Sequence, residues 1–260
     1  MNQPRLPGGL TLRAMVPNAI TAAALCAGLT GIRFAITGEF EKAVLAVVLA
    51  GLLDGIDGRI ARLLKAQSRF GAELDSLADN VSFGVAPALV LFMWSLQEVP
   101  RLGWFAALAF AVSMALRLAR FNARIDLPEE PRKLAGFLTG VPAPVGAGLA
   151  FLPMYLAFTF PGEPVLRDPI LVGAWLVVIA VLTISSLPTL SWGRLRPRRN
   201  LRMEVILLAG IVAGAAALTE PWWTLIGICA VYLTILPLGV FQYARVKRRR
   251  AEPAGEPVAP

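Results

Sequence analysis

Apolar stretches of bilayer length recur along the whole chain, and they limit the possible fold more than any other feature. A helix needs about 20 mostly apolar residues to cross the hydrocarbon core of a membrane. Eight stretches approach or reach that length: 16–36, 43–64, 77–96, 103–121, 142–160, 170–187, 203–218 and 222–240. The second and third are interrupted by charges, and the seventh is short. Backbone groups in lipid must find their hydrogen bonds inside the segment or in a closed barrel, and no alternation of period two marks barrel strands. The sequence therefore predicts an all-α polytopic membrane bundle of about eight transmembrane helices. Composition agrees: 57% of residues are hydrophobic and 16% charged, against about 25% charged in soluble domains.

The basic residues sort by side. With the N-terminus inside, the inside segments hold Arg5 and Arg13; Arg59, Arg62, Lys65 and Arg69; Arg117, Arg120, Arg124, Arg132 and Lys133; Arg194, Arg196, Arg198, Arg199 and Arg202; and Arg245, Lys247, Arg248, Arg249 and Arg250. Of the 25 basic residues, Arg33, Lys42, Arg101 and Arg167 alone fall outside. This is the asymmetry of the positive-inside rule, and it predicts both termini on the cytoplasmic side. The basic run near the C-terminus, next to a membrane helix, suits anionic lipid better than nucleic acid. The first span is too long for a signal peptide and lacks a small-residue cleavage pattern.

Two cysteines, Cys26 and Cys229, lie inside apolar stretches and give no disulfide framework or zinc site. The chain has no histidine, so metal or acid–base chemistry falls to carboxylates, which favour hard cations such as Mg²⁺ or Mn²⁺.

The carboxylates that could do this lie close together. Asp54, Asp57, Gly58, Ala61 and Arg62 share one face of the second predicted helix, and Ser68, Gly71, Asp75 and Asp79 share one face of the third. Residues 65–70 would form the turn between them. An antiparallel pair then directs four carboxylates into one pocket at the cytoplasmic rim. Four such groups cannot all stay ionised together without cations, and two divalent ions would balance them. Paired metals are a common clamp for displacement at phosphorus. Gly58, Ala61 and Gly71 either leave room for a ligand or let helices pack closely. Arg62 could hold a phosphate oxygen. An EF-hand is excluded by the pattern. A cation path would spread its acids over several spans, whereas here they fall on two.

These residues carry a resemblance. The pattern D-x₂-D-G-x₂-A-R-x₈-G-x₃-D-x₃-D is matched at every fixed position by Asp54, Asp57, Gly58, Ala61, Arg62, Gly71, Asp75 and Asp79. The chain thereby resembles the CDP-alcohol phosphatidyltransferases. The resemblance implies a core of six membrane helices, usually in a homodimer. It implies metal ligands at Asp54, Asp57, Asp75 and Asp79, with Asp79 also the base. It implies CDP-diacylglycerol contacts from Gly58, Ala61, Arg62, Ser68 and Gly71, and from Asn18 and Thr21 in the Pro17–Thr21 run of the first helix. The family domain would cover residues 15–200, between an N-terminal segment 1–14 and two further helices at 201–241. A basic, disordered tail at 242–260 would follow.

The runs at 74–88, 117–122, 137–148 and 185–196 most resemble members of the family that use L-serine as acceptor. The resemblance fades in the last two helices. Its implied product is phosphatidylserine, with CMP released. Glycerol 3-phosphate, inositol phosphate and choline stay open as acceptors. Serine carries a carboxylate, which makes Arg117, Arg120 and Lys133 candidates to bind it. Asn80 is a further candidate for acceptor contact. Asn122 and Ser82 are weaker candidates for the same pocket, since such groups more often join helices.

Overall fold

A computed structural model describes residues 12–123, 137–185, 188–190 and 219–251. The predicted all-α bundle is what forms. The described helices are α1 (Leu12–Ile36), α2 (Phe40–Leu63), α3 (Arg69–Trp94), α4 (Pro100–Asn122), α5 (Ala143–Ala150), α6 (Leu152–Thr159), α7 (Pro169–Ile184) and α8 (Pro221–Ala251). One short antiparallel ribbon joins β1 (Phe137–Thr139) to β2 (Pro188–Leu190), with Phe137 opposite Leu190. The chain divides by packing into two units, one containing α1–α4 and α5–α7, the other containing the ribbon and α8. In the second unit α8 packs on β2.

Among the described residues, 15–36, 69–94 and 100–122 are long and apolar enough to cross a membrane, and α7 and residues 221–237 are shorter apolar helices. The protein is a membrane protein. Helix α2 has the length, but Asp54, Asp57, Arg59 and Arg62 interrupt its C-terminal half. Helix α2 is small on its packed face and large on its outward face. On α2 the buried residues include Ala43, Ala46 and Ala50, while Leu45, Leu49 and Leu52 face outward. Because lipid is as apolar as leucine, close contact of small residues holds such helices together. A Cβ added at Gly28 of α1 would lie 2.5 Å from Ser82 Oγ and 2.8 Å from Ser82 Cα. Phe83, Phe110, Met114, Tyr155, Leu176 and Ile179 fill the fully buried interior.

Several boundaries differ from expectation, each for a local reason. Helix α3 begins at Arg69, not 77, because Ser68 caps it, accepting from Gly71 N–H at 3.0 Å. Its polar first turns escape a hydropathy reading. Within α3, residues Asn80–Val85 widen into a π-helical turn, with Ala86 N–H donating to Val81 O. Pro87 follows directly. A proline ring clashes with the carbonyl four residues back, and a widened turn relieves that.

The expected span 142–160 is two helices with Phe151 between them. Pro153 cannot donate to the Leu149 carbonyl, and Trp175 Nε1 of α7 donates there instead at 2.8 Å. The last helix was expected to end at 240 but continues through the basic run to Ala251. The expected span 203–218 lies outside the described residues.

Candidate active site

The two halves of the motif are set opposite each other by a tight turn. Helix α2 ends with Lys65 in the left-handed region, φ 49°. Ala66 N–H reaches back to Ala61 O at 2.9 Å and Lys65 N–H to Arg62 O at 3.2 Å, the paired bonds of a Schellman ending. Ser68 then caps α3. The chain reverses in a few residues, both segments pack on α1, and Asp54 and Asp57 come within reach of Asp75.

Oxygens of Asp54, Asp57 and Asp75 lie within 4.8 Å of one another. Asp79 is not in this cluster. It comes within hydrogen-bonding reach of Asp54, and close enough to Arg117 of α4 for their charges to attract. Asp75 also reaches Asp54. The site therefore has three clustered acids and a fourth beyond them, in contact through Asp54. The three clustered donors are all hard oxygens, and separations of this size suit a shared cation with metal–oxygen distances of about 2.0–2.6 Å. The buried cluster could thus bind metal ions.

Beside it opens a cavity of about 350 Å³. Asn18, Thr21, Gly58, Ala61, Arg62, Ser68 and Gly71 line it, together with Asp57 and Asp75. Every residue expected at the CDP-lipid is thus on its wall; Asp54 and Asp79 are not part of the lining. A Cβ on Gly58 would meet no protein atom within 4 Å. One on Gly71 would lie 3.0 Å from Asn18 Oδ1 and 3.1 Å from Ser68 Oγ. Gly58 leaves space, while Gly71 lets α1 approach the start of α3.

Thr21 faces Asp57 as well as the cavity: its hydroxyl donates to Asp57 Oδ2 at 2.6 Å, with both residues buried. Gln67 and Phe121 also line the cavity and were not expected there. Gln67 lies in the turn between the two motif halves, a position that offered a signal. Phe121 comes from α4, far away in sequence, and no local pattern could show where it points.

The expected serine-binding residues separate. Arg117 stands near Asp79. Arg120 donates through Nη2 to Ile184 O at 2.8 Å, at the C-terminal end of α7, where a cation is favoured by the helix dipole. Lys133 lies outside the described residues. Asn122 accepts from Ser76 Oγ at 2.9 Å and donates to Glu73 Oε2 at 3.3 Å, tying α4 to α3. Ser82 Oγ donates to Ala24 O at 3.4 Å, between α3 and α1. Asn80 Oδ1 is buried with no hydrogen-bond partner among the described residues.

The sequence matches the CDP-alcohol phosphatidyltransferase family over residues 14–190, and a second family, CDP-alcohol phosphatidyltransferase 2, over residues 200–237. Similar proteins include the CDP-diacylglycerol–serine O-phosphatidyltransferases of three organisms. That of Mycobacterium tuberculosis strain H37Rv is 37% identical over 240 residues, 92% of this chain and 82% of the relative. That of Mycobacterium leprae is 36% identical over 240 residues, 92% of this chain and 78% of the relative. That of Helicobacter pylori strain J99 is 31% identical over 198 residues, 76% of this chain and 81% of the relative. The similarity runs past residue 200 into the last helices, where the motifs had faded. Likeness of this extent, carried by the same helices that build the cavity, makes the chain a member of the CDP-alcohol phosphatidyltransferase family.

Proposed function

We propose that the protein transfers the phosphatidyl group of CDP-diacylglycerol to the hydroxyl of L-serine, giving phosphatidylserine and CMP. The observation that carries this reading is the convergence of the family signature from α2 and α3 on one cavity beside the acidic cluster. The choice of serine rests on the relatives, which bear the name of that reaction.

The residues divide the work by position. Asn18, Thr21, Gly58, Ala61, Ser68 and Gly71 shape the nucleotide side of the cavity, and Arg62 faces the diphosphate. The serine hydroxyl loses its proton to Asp79, its oxygen bonds to the phosphorus on the diacylglycerol side, and the bond from that phosphorus to the CMP oxygen breaks. Arg62 offsets charge on the departing CMP, an electrostatic role of the kind that lowers such barriers. The serine carboxylate is met by a cation drawn from Arg117, Arg120 and Lys133, and Arg117 is favoured by its closeness to Asp79. Asp54, Asp57, Asp75 and Asp79 would hold Mg²⁺ or Mn²⁺, two ions, which when bound neutralise the acids and the diphosphate and polarise its oxygens. A carboxylate with a reference pKa of about 4 is a weak base for an alcohol, so proton loss is late or concerted with attack.

The charge asymmetry supports an active site at the cytoplasmic face of a prokaryotic-type cell membrane with both termini inside. The family's usual homodimer is the assembly we propose.

The test is CMP release by the purified protein from CDP-diacylglycerol with Mg²⁺ or Mn²⁺. Serine, glycerol 3-phosphate, inositol phosphate and choline are supplied in turn. Release with serine alone is expected. Release only with another alcohol would overturn the acceptor, and no release with any would overturn the enzyme reading. Asp79→Asn is expected to abolish turnover, a loss of at least about 10³-fold on the scale of general-base catalysis, while the protein stays folded. Normal turnover would remove Asp79 from the mechanism.

A further inference from the structure

Asp57 is 4% exposed, and its side chain sits at the junction of α1 and α2. A buried carboxylate needs hydrogen-bond donors or a cation. Thr21 of α1, 5% exposed, supplies one donor at 2.6 Å to Oδ2. The same hydroxyl lies 3.1 Å from Pro17 O. A hydroxyl has a single proton, and the Pro17 carbonyl is the regular acceptor for the Thr21 backbone N–H one turn on. The shorter bond, to a charged acceptor, is the stronger place for that proton. Oδ2 is thereby tied to α1, and the Gly58 backbone N–H also donates to this carboxylate; with about four lone-pair sites, a carboxylate so held can still take a cation.

We infer that Thr21 is a positioning residue: it holds Asp57 in the orientation that lets it join Asp54 and Asp75 around a shared cation. This rests on the metal reading proposed above and assigns Thr21 a role beyond lining the nucleotide cavity. Outer hydrogen bonds of this kind fix the direction of a ligand, and removing one typically weakens metal binding about 10–100-fold. Thr21 also makes α1 part of the acidic site, although α1 contributes no acid to it.

The experiment measures binding of Mn²⁺ alone, without nucleotide, to full-length protein in lipid nanodiscs, from the electron paramagnetic resonance signal of the free ion. Thr21→Val is expected to bind Mn²⁺ about 10–100-fold more weakly than the original chain, and Thr21→Ser, which keeps the hydroxyl, to restore binding. Thr21→Ala serves as a smaller second variant, and thermal melting reports folding of each. Unchanged Mn²⁺ affinity in Thr21→Val or Thr21→Ala, with CDP affinity lowered, would assign Thr21 to the nucleotide and overturn the inference. Failure of both to fold while Thr21→Ser folds would make the bond purely structural and overturn it too. Absence of Mn²⁺ binding by the original chain, together with absence of CMP release, would overturn the metal reading itself, a result distinguishable from any effect of Thr21.

Discussion

A Cβ built at Gly58 meets open space, whereas one built at Gly71 meets Asn18 and Ser68 at about 3 Å. The two glycines of one motif are therefore small for different reasons. Gly58→Ala is expected to leave the melting temperature unchanged while lowering kcat/KM for CDP-diacylglycerol at least about tenfold, equivalent to about 1.4 kcal/mol of transition-state stabilisation. On the proposed function, the added methyl takes cavity space that the CDP-lipid would fill. Gly71→Ala is expected to lower stability by about 1–3 kcal/mol, the usual range for overpacking, because Asn18 and Ser68 must both move. Melting curves in detergent, run beside CMP-release kinetics, separate the two. Equal stability losses in both variants would show that Gly58 also packs against protein. Sequence spacing could place both glycines on the site side of their helices. It could not distinguish these uses, because the distinction depends on what the opposing helix brings near.

At the scale of elements, prolines set where helices change and neighbouring side chains satisfy what they disrupt. Pro153 leaves the Leu149 carbonyl without its helical donor, and Trp175 of α7 provides one. Trp175→Phe keeps the aromatic bulk but removes the N–H. It is expected to cost about 1–3 kcal/mol, the penalty for an unsatisfied buried acceptor, seen as a lower thermal midpoint. An unchanged midpoint would mean that another donor takes over the carbonyl. The π-helical turn at Asn80–Val85 likewise stands just before Pro87. It changes the rotation of α3 directly after Asp79, so positions beyond 79 no longer follow a regular helical count. The Ser68–Asp79 face was legible because it ends before that turn.

For the whole molecule, the uneven distribution of basic residues is the basis of the proposed orientation in the membrane. If the turn after α2 lies in the cytoplasm and the α1–α2 turn outside, single cysteines at Lys65 and Lys42 should react with impermeant thiol reagents from opposite sides. Cys26 and Cys229 would first be replaced. Labelling of Lys65→Cys from the outside would reverse the proposed orientation and put the site on the wrong face for cytoplasmic serine. The positive-inside bias is a property of the chain that acts before tertiary contacts form, so it is readable without the fold.

What the sequence alone determined is local and periodic. Runs of apolar residues demand helices in lipid. Spacings of three and four put the acids on two helix faces, and a short turn lets the acids of the two helices come together. Only the tertiary structure decided which groups meet across helices. Thr21 binds Asp57 over 36 positions. Phe121 comes to the cavity from α4, and Arg120 is drawn to the end of α7. Asp79 stands outside the cluster formed by the other three acids. These outcomes depend on the rotation and approach of one helix against another. Small contacts such as Gly28 on Ser82 set that approach, and no periodicity within a single helix encodes it.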